Sequence, residues 1–294
     1  MTDRPPPPAP LRRGRIVLVA TPIGNPGDLS PRAVRMLGGA DVVACEDTRV
    51  TRKLLSHAGI SAGNLVAVHA HNEASEVGAL VARAAGGATV AVVTDAGVPG
   101  ISDPGSPMVA AAAAAGVDVE VVPGPSAAVA ALVVSGLPID RFCFEGFLPR
   151  KGGERAARLA AIAAEARTVV LFESPRRVRA TIAHLAKVCG GDRPVAVARE
   201  LTKVHEQVWR GDLDGAMAWL ESVEPRGEHA VVVGPAPTEV VVVDDSHIEV
   251  ALADRLACGD DRRAAVVAVA ASLGVPKRRV YEIGIRLRHG APST

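Results

Sequence analysis

Short valine-rich runs alternate with segments of helical period through the first half of the chain. The runs predict strands at 15–20, 41–45, 65–69, 88–93 and 117–122, and the segments between them predict helices at 30–38, 48–57, 73–85 and 106–115. Ser30 and Ser106 are predicted to be the N-caps of two of these helices, each with proline at the first helical position. Because strict alternation of strand and helix is typical of a parallel sheet covered on both faces, we expect an α/β domain over 14–125.

The second half of the chain has a different order of elements. Its pattern predicts strands at 142–147, 168–173, 194–199, 206–210 and 229–234, with helices near 152–166, 175–189 and 212–222. The last two strands lie close together around one helix, which favours a mixed sheet. The small-residue segment 127–134 is predicted to be a helix that closes the first domain. We therefore expect a second α/β domain over 126–236.

A helical tail unit is expected at 246–290, after the linker 235–237. Residues 261–273 and 277–287 have helix-turn-helix spacing, with Gly274 at the turn. The start of the second helix carries three basic residues, Lys277, Arg278 and Arg279. A recognition helix would meet phosphate there, although a helical hairpin that only packs on the body of the protein fits the same pattern.

Loops rich in glycine and proline follow three of the predicted strands. The longest is Thr94-Asp-Ala-Gly-Val-Pro-Gly-Ile-Ser-Asp-Pro-Gly105, and shorter ones occupy 21–28 and 123–126. So much glycine and proline can continue neither a strand nor a helix, which predicts structured loops at the carboxyl ends of the strands. Ligands of open α/β sheets bind at that edge, so the loops predict a small-molecule site.

Composition narrows the function classes. The net charge of +1 argues against a protein that coats nucleic acid. Local basic clusters are candidates for RNA contact, with ordinary solvated surface charge as the alternative for each. The four cysteines are dispersed, which favours a reducing cytoplasm and gives no zinc or disulfide spacing. His69 and His71 are interpreted as structural, so we expect no metal site. Residues 1–13 are expected to be a disordered leader, and no membrane span is predicted.

Several common motifs are absent from the sequence. It contains neither the dinucleotide signature G-x-G-x-x-G nor the Walker motif, and no G-x-S-x-G elbow. Oxidoreductase, P-loop and serine hydrolase interpretations therefore lose their main support. A neutral or zwitterionic cofactor, bound largely by the backbone of the glycine and proline loops, remains.

The order of the motifs carries a family resemblance. They are Ala20-Thr-Pro-Ile-Gly-Asn25, Ala44-Cys-Glu-Asp-Thr-Arg49, Asp95-Ala-Gly-Val-Pro-Gly-Ile-Ser-Asp-Pro-Gly105, Pro123-Gly-Pro-Ser-Ala127, Gly146-Phe-Leu-Pro149, Glu173-Ser-Pro175 and Ala198-Arg-Glu-Leu-Thr-Lys203. From about Gly14 to Gly234 the chain resembles the tetrapyrrole methylase superfamily, and within it the branch that methylates small-subunit ribosomal RNA. Pro26, Arg176 and Arg226 depart from the pattern expected of that branch, and Arg176 puts a histidine-specific role at its position in doubt.

The resemblance implies a fold, a reaction and partners. It implies two α/β domains with S-adenosylmethionine in the cleft between them, and 2′-O-methylation of a cytidine in the decoding region of 16S ribosomal RNA. A homodimer in the cytoplasm, acting on the small ribosomal subunit, is implied as well. Carried over by motif, the cofactor contacts are Pro22, Asp95, Gly97, Gly100, Ile101, Asp103, Ser126 and Ala127, with Glu228 and His229 as further contacts. Asp103 has an alternative role, capping the helix that starts near Ser106.

Methyl transfer to a ribose hydroxyl needs alignment of the reactants and a group that takes the proton. The candidate groups at strand ends of the two halves are Glu46, Asp47, Arg49, Arg199, Glu200 and Lys203. Glu200 is our first choice for the base and Arg49 for orienting the RNA. Structural ion pairing among these six is the alternative.

Two other functions stay open from the sequence. A methylase of a corrin or sirohaem precursor would share the fold and the cofactor. A metabolite-sensing DNA-binding regulator would use the helix-turn-helix-like end of the chain, with the α/β body binding only a ligand.

Overall fold

The computed structural model describes residues 14–61, 63–69, 72–103, 105–224, 226–237 and 243–289. The chain divides into two compact units, one reaching to Ala236 and one beginning at Pro237. The expected leader 1–13 lies outside the described residues. The division of the larger unit at residue 125 stays a prediction.

The first sheet is parallel throughout, as the alternation of elements predicts. Its strands are β1 (Arg15–Val19), β2 (Val42–Cys45), β3 (Leu65–Ala67), β4 (Thr89–Val93) and β5 (Asp118–Val122), in the order β3-β2-β4-β1-β5. The connecting helices are α1 (Pro31–Gly39), α2 (Thr48–His57), α3 (Glu73–Ala85) and α4 (Ser106–Ala114). All the strands therefore end at one edge of the sheet, the edge that carries the glycine and proline loops.

Helices cover both faces of this sheet. Leu80 of α3 and Met108 of α4 are buried against one face, and Leu37 of α1 and Leu55 of α2 against the other. Burial of each such side chain contributes about 1.5–3 kcal/mol. The Ser30 hydroxyl accepts from the backbone N–H of Ala33 (3.1 Å) and so begins α1 as predicted.

The second sheet is mixed. Its strands are β6 (Phe142–Phe147), β7 (Thr168–Glu173), β8 (Pro194–Arg199), β9 (Gln207–Asp212) and β10 (His229–Val233), in the order β6-β7-β10-β8-β9. The helices that follow β5 are α5 (Ala127–Val134), α6 (Gly153–Ala164), α7 (Val178–Cys189) and α8 (Leu213–Ser222). Strand β10 runs antiparallel to both of its neighbours. Its first residue, His229, therefore lies beside Glu173 and Arg199, the last residues of β7 and β8.

The small-residue helix α5 packs on the second sheet, which corrects the expectation that it closes the first domain. Ala128, Ala131 and Leu132 share a core with Val170 of β7 and Val232 of β10. Alanines in α5 allow the helix to lie close to the sheet. The opposite face of the sheet is covered by α6, α7 and α8.

The tail unit contains α9 (Asp245–Ala257), α10 (Arg262–Leu273) and α11 (Lys277–His289) around a core of its own. Gly274 ends α10 in the left-handed conformation (φ 64°), as its place at the predicted turn requires. Asp245 pairs with Arg279 (2.9 Å) and Arg286 (2.5 Å). Across the described ranges, no helix has the length and hydropathy that a membrane span needs.

Candidate active site

A cavity of about 250 Å³ lies between the loops of the first sheet and the edge of the second. The first sheet contributes Ile23, Glu46, Ile101 and residues 95–98, and the PGPSA turn contributes Ser126 and Ala127. The second sheet contributes Phe147, Phe172, Glu173, Ala198, Glu228, His229 and Ala230, together with Glu200, Leu201 and Lys203 of the RELTK loop. The predicted inter-sheet cleft and the predicted strand-end loops thus meet at one cavity.

Backbone hydrogen bonds join the first two loops. Thr21 and Gly97 each donate an N–H to the other's carbonyl (2.9 and 3.1 Å). The Thr21 hydroxyl also donates to the carbonyl of Thr94 (3.2 Å). Gly97 has a φ of +82°, which only glycine adopts without strain, and this conformation turns the loop back toward β1.

A side chain of α3 holds the loop after β4 by a hydrogen bond. The Glu73 carboxylate accepts from the backbone N–H of Gly105 (2.9 Å). The prediction of Ser106 as the N-cap of α4 is wrong, because Gly105 takes that position and Ser106 is the first helical residue; among the described residues, no side chain caps the helix. Asp103 therefore does not cap α4, which removes the alternative role that the sequence left open. Its carboxyl group instead lines the cavity.

The TPIGN and RELTK loops are in direct contact. A Cβ at Gly24 would lie 2.5 Å from Lys203 Cγ and 2.8 Å from the Leu201 carbonyl oxygen. A side chain at this position would push the loops apart, so glycine is required by the close approach. The contact brings the amino-terminal motif of the first sheet against the motif that follows β8.

The RELTK loop has an unusual backbone. Glu200 and Thr202 both have positive φ values (53° and 65°), which are costly for residues with side chains. The Glu200 backbone N–H donates to the carbonyl of Glu228 (3.3 Å), and its carboxylate accepts from Lys203 Nζ (2.8 Å). A Cβ at Gly227 would overlap that carboxylate. These contacts fix the position of the Glu200 side chain.

Six carboxyl groups of the described residues line the cavity, and Asp103 is repelled by three of them, Glu46, Glu228 and Asp95. Burial raises the pKa of Asp103 from 3.8 to about 6, assisted by repulsion from Glu46, Glu228 and Asp95. Burial, followed by repulsion from Asp95, also raises the pKa of Glu46. The pKa of Asp95 rises through burial, although its carboxylate accepts the backbone N–H of Asp47 (3.1 Å). A cluster of this kind favours a ligand that brings positive charge.

Asp47 and Arg49 form a local pair outside the cavity. Asp47 caps α2 by accepting the backbone N–H of Arg49 (2.7 Å), and it also pairs with Arg49 Nη2 (2.6 Å). Hydrogen bonds from Arg49 hold the pKa of Asp47 well below its usual range. The Arg49 side chain, 85% exposed, joins Arg52, Lys53 and His57 around a surface depression on α2. Structural pairing therefore accounts for Asp47, and Arg49 lies on a basic surface.

Arg199 also lies outside the cavity lining. Its guanidinium donates to Gln207 Oε1 (2.9 Å) and to the Glu224 carbonyl (2.7 Å), and it lies over the ring of Trp219 (5.6 Å). These contacts hold the end of β8 against β9 and the segment that follows α8. Arg199 therefore stabilises the end of β8, from which the rest of the RELTK motif continues as a loop.

His229 and Glu173 are buried at the cavity and differ in their hydrogen bonding. Neither ring nitrogen of His229, which is 2% exposed, has a hydrogen-bond partner among the described residues. Burial lowers the pKa of His229, so the ring is neutral at neutral pH. Glu173 is fully satisfied by Ser174, Thr181 and Arg177. A bound ligand is the natural partner for His229, because an unpaired buried polar group is costly.

Most of the predicted site residues line the cavity. They are Glu46, Asp95, Gly97, Ile101, Asp103, Ser126, Ala127, Glu200, Lys203, Glu228 and His229. Pro22, Gly100, Asp47, Arg49 and Arg199 are not part of its lining. Ile23, Phe147, Phe172 and Glu173 line it without having been predicted. Phe147, Phe172 and Glu173 lie at the ends of β6 and β7, within the GFLP and ESP motifs or next to them. Those motifs are the feature of the sequence from which these residues could have been predicted.

The residues present fit S-adenosylmethionine. The carboxyl groups of Asp95, Asp103 and Glu46 suit its sulfonium and amino groups, and the unpartnered ring of His229 offers a polar contact. Among the described residues, no group of three or more His, Cys, Asp or Glu side chains could hold a metal ion.

Comparisons with known proteins agree with this site. The family model of the tetrapyrrole (corrin/porphyrin) methylases matches residues 15–216. The ribosomal RNA small subunit methyltransferase I of Synechocystis sp. is 42% identical over 275 residues, which cover 93% of this chain and 98% of that protein. The enzyme of the same name from Mycobacterium tuberculosis is 45% identical over 290 residues, 96% of this chain and 99% of that protein.

A solved structure has the same fold. The uroporphyrin-III C-methyltransferase of Thermus thermophilus, complexed with S-adenyl homocysteine, superposes with a TM-score of 0.55 at 25% identity. The match covers 79% of this chain and all of that one (100%). Fold, motifs and sequence identity over nearly the whole chain agree. The chain therefore belongs to the tetrapyrrole methylase family, and within it to the ribosomal RNA small subunit methyltransferase I group.

Proposed function

We propose that the protein transfers a methyl group from S-adenosylmethionine to the ribose 2′-hydroxyl of a cytidine in the decoding region of 16S ribosomal RNA. The observation that carries the proposal is the acidic cavity, which is lined by residues of the TPIGN, PGPSA and RELTK motifs and by residues 95–98 and 101–103 of the loop after β4. The near full-length relatives named ribosomal RNA small subunit methyltransferase I support the class of substrate. A cytoplasmic homodimer stays a prediction.

The cofactor would be held by backbone and carboxyl groups. Gly97, Ser126 and Ala127 offer backbone atoms close to the ligand, and Asp95 offers its carboxylate. Bound S-adenosylmethionine supplies an electrophilic methyl group and a neutral thioether as the leaving group. The protein then has two tasks, which are to align the ribose hydroxyl and to accept its proton.

We assign the proton acceptor to Asp103 in preference to Glu200. The Lys203 ammonium lowers the pKa of Glu200, which makes that carboxylate a weaker base. The pKa of Asp103, raised to about 6, lies closer to neutral pH, where a general base is most effective. Glu200 and Lys203 then act as a positioned ion pair that orients the substrate at the cavity.

The basic depression on α2 is the candidate for the RNA backbone. Arg49 is anchored by Asp47 at the start of α2, and Arg52 and Lys53 are exposed beside it. Arginine and lysine so arranged suit phosphate oxygens. Arg49, which borders the depression, and Glu46, which lines the cavity, both belong to the CEDTR segment 45–49.

Two other functions receive less support. A corrin or sirohaem-precursor methylase shares the fold, but the near full-length relatives carry a ribosomal RNA name. A DNA-binding regulator gains nothing from the family match, because the matched family consists of methylases.

Methyl transfer to small ribosomal subunits tests the proposal directly. We expect purified protein to label subunits from a strain that lacks the enzyme when it is supplied with methyl-labelled S-adenosylmethionine. Nuclease mapping should place the label on one cytidine ribose. Labelling of a base, or of uroporphyrinogen in place of RNA, would contradict the proposal.

Binding of S-adenosylmethionine is expected to need no metal ion, because no group of described residues could hold one. Calorimetry should give the same Kd with and without a chelator. Binding that vanishes with the chelator would contradict the metal-free site.

The tail is expected to contribute to RNA binding and not to cofactor binding. It has its own hydrophobic core and lies beyond the unit that holds the cavity. Three basic residues, Lys277, Arg278 and Arg279, stand at the start of α11. Arg278 pairs with Glu282 and Arg279 with Asp245, whereas the described residues show no ion pair for Lys277. Ending the chain after Pro237 should leave the Kd for S-adenosylmethionine within about threefold while raising the KM for subunits. Because each phosphate contact contributes about one unit to the salt slope, the slope should also fall.

The full-length chain is the control for that truncation, with both proteins measured at several salt concentrations. An unchanged KM and an unchanged salt slope would show that the tail does not touch RNA.

A further inference from the structure

Phenylalanine is concentrated at the cavity. The chain has only four phenylalanines, and aromatic residues make up 2% of it. Phe147 and Phe172 line the cavity, and the ring of Phe144 contacts that of Phe172. The ring centroids of Phe147 and Phe172 are 5.7 Å apart, and those of Phe172 and Phe144 are 5.0 Å apart with the rings edge to face. Such contacts hold aromatic rings in fixed orientations.

A bulge in β6 turns Phe147 toward the cavity. The register against β7 shifts between Phe144 and Gly146, so that Phe147 pairs with Phe172. In a regular strand, residues three apart point to opposite faces. The extra residue brings Phe144 and Phe147 to the same face, and Leu148 turns into the opposite core. Bulges that redirect a side chain in this way are frequent beside active sites.

The first sheet supports the bulge. Gly146 has a φ of +61°, and a Cβ there would lie 3.0 Å from Ser102 Oγ. The loop that carries Asp103 therefore lies against the bulge that positions Phe147. Packing of this loop against the bulge therefore fixes the position of the Phe147 ring relative to the acidic groups of the cavity.

Phe147 lies at the rim of the cavity and not in its depth. The residue is 51% exposed, whereas Glu173 and His229 in the same lining are 1% and 2% exposed. Ile101, 46% exposed, faces the same cavity from the first sheet. Two large apolar side chains left open to water at a cavity mouth mark a binding surface.

We propose that Phe147 is the platform on which the base of the target nucleotide stacks. This inference rests on the proposed RNA methylation and adds the residue that positions the nucleotide. A cavity of about 250 Å³ suits a nucleotide splayed out of a single-stranded segment of RNA, and the unstacked base of such a nucleotide stacks on an aromatic side chain. The Phe147 ring at the rim provides that side chain, and Phe172 keeps the ring in place.

The test is steady-state methylation of small subunits by Phe147→Leu, with Phe147→Trp as the conservative variant. Leucine keeps apolar volume but removes the aromatic face. Since stacking on an aromatic side chain contributes about 1–3 kcal/mol per base, the KM for subunits should rise by about 5- to 150-fold. The Kd for S-adenosylmethionine, measured by calorimetry, should stay within about threefold, and tryptophan should restore the KM.

Phe142→Leu is the matched control. Phe142 begins the same strand, is 41% exposed and does not line the cavity, so its replacement should leave KM unchanged. An unchanged KM in Phe147→Leu would overturn the inference. So would a weakened Kd for S-adenosylmethionine, which would show that the ring stacks on the cofactor's adenine, or a change of oligomeric state in light scattering, which would make it a subunit contact. If the wild-type protein itself fails to label subunits, the proposed function fails instead.

Discussion

Asp103→Asn is expected to abolish most methyl transfer while making the protein more stable at neutral pH. Asparagine keeps the size of the side chain but accepts no proton, so kcat should fall by about 10²- to 10⁴-fold if Asp103 is the base. The ionised carboxylate is disfavoured by burial and by repulsion from Glu46, Glu228 and Asp95. Removing its charge relieves that repulsion, and stability should rise without cofactor.

The gain in stability should depend on pH in a defined direction. The pKa of Asp103 is about 6 in the folded protein against an ordinary value of 3.8, so the folded state binds the proton more tightly. The wild type therefore loses stability as the pH rises from about 4 through 6, and the variant should not. With solvent screening of this partly exposed group, the gain above pH 6 should be about 1–2 kcal/mol. Below pH 4 it should vanish.

Thermal melts of the cofactor-free protein between pH 4 and 8 measure this effect. Asp118→Asn, which removes an exposed carboxylate at the start of β5, is the matched control and should change neither activity nor the pH profile. If Asp103→Asn keeps its kcat and loses affinity for S-adenosylmethionine, Asp103 holds the cofactor and is not the base.

Gly227→Ala is expected to reduce methyl transfer more than tenfold by displacing Glu200. A Cβ at Gly227 would overlap the Glu200 carboxylate and lie 2.9 Å from its Cγ, so the whole side chain must move away. The pair between Glu200 Oε1 and Lys203 Nζ, 2.8 Å apart, would then break at the cavity. Because Gly227 has a φ of +70°, alanine also adds a backbone cost of about 1–2 kcal/mol.

Gly59→Ala separates the two effects. Gly59 has nearly the same φ (+69°), and a Cβ there would meet no atom within 4 Å. It should therefore lower the melting temperature by the backbone cost alone and leave kcat unchanged. Equal kcat values for the two variants would show that the position of Glu200 is not important for the reaction.

The sequence determined the fold class and most of the cavity lining. Alternating strands and helices over the first half predicted the parallel sheet, and two strands around one helix predicted the mixed second sheet. The residue types along the chain were also sufficient to predict the loops at the strand ends. Glycine and proline end a strand wherever they cluster, which predicted the strand-end loops whose residues Asp95, Gly97 and Ser126 line the cavity. These properties depend on neighbours in the chain.

Tertiary structure decided which charged residues face the cavity and which of the two sheets helix α5 covers. Repulsion from Glu46 and Glu228, both distant in sequence, contributes to the raised pKa of Asp103, and no pattern in the loop itself indicated that. Helix α5 is almost entirely apolar, so its pattern gave no preferred face and only packing assigned it to the second sheet. The bulge that turns Phe147 inward depends on Gly146 meeting Ser102, which lies more than forty residues earlier in the chain. Burial, repulsion and register are set by residues distant in sequence, and for that reason only the folded chain determines them.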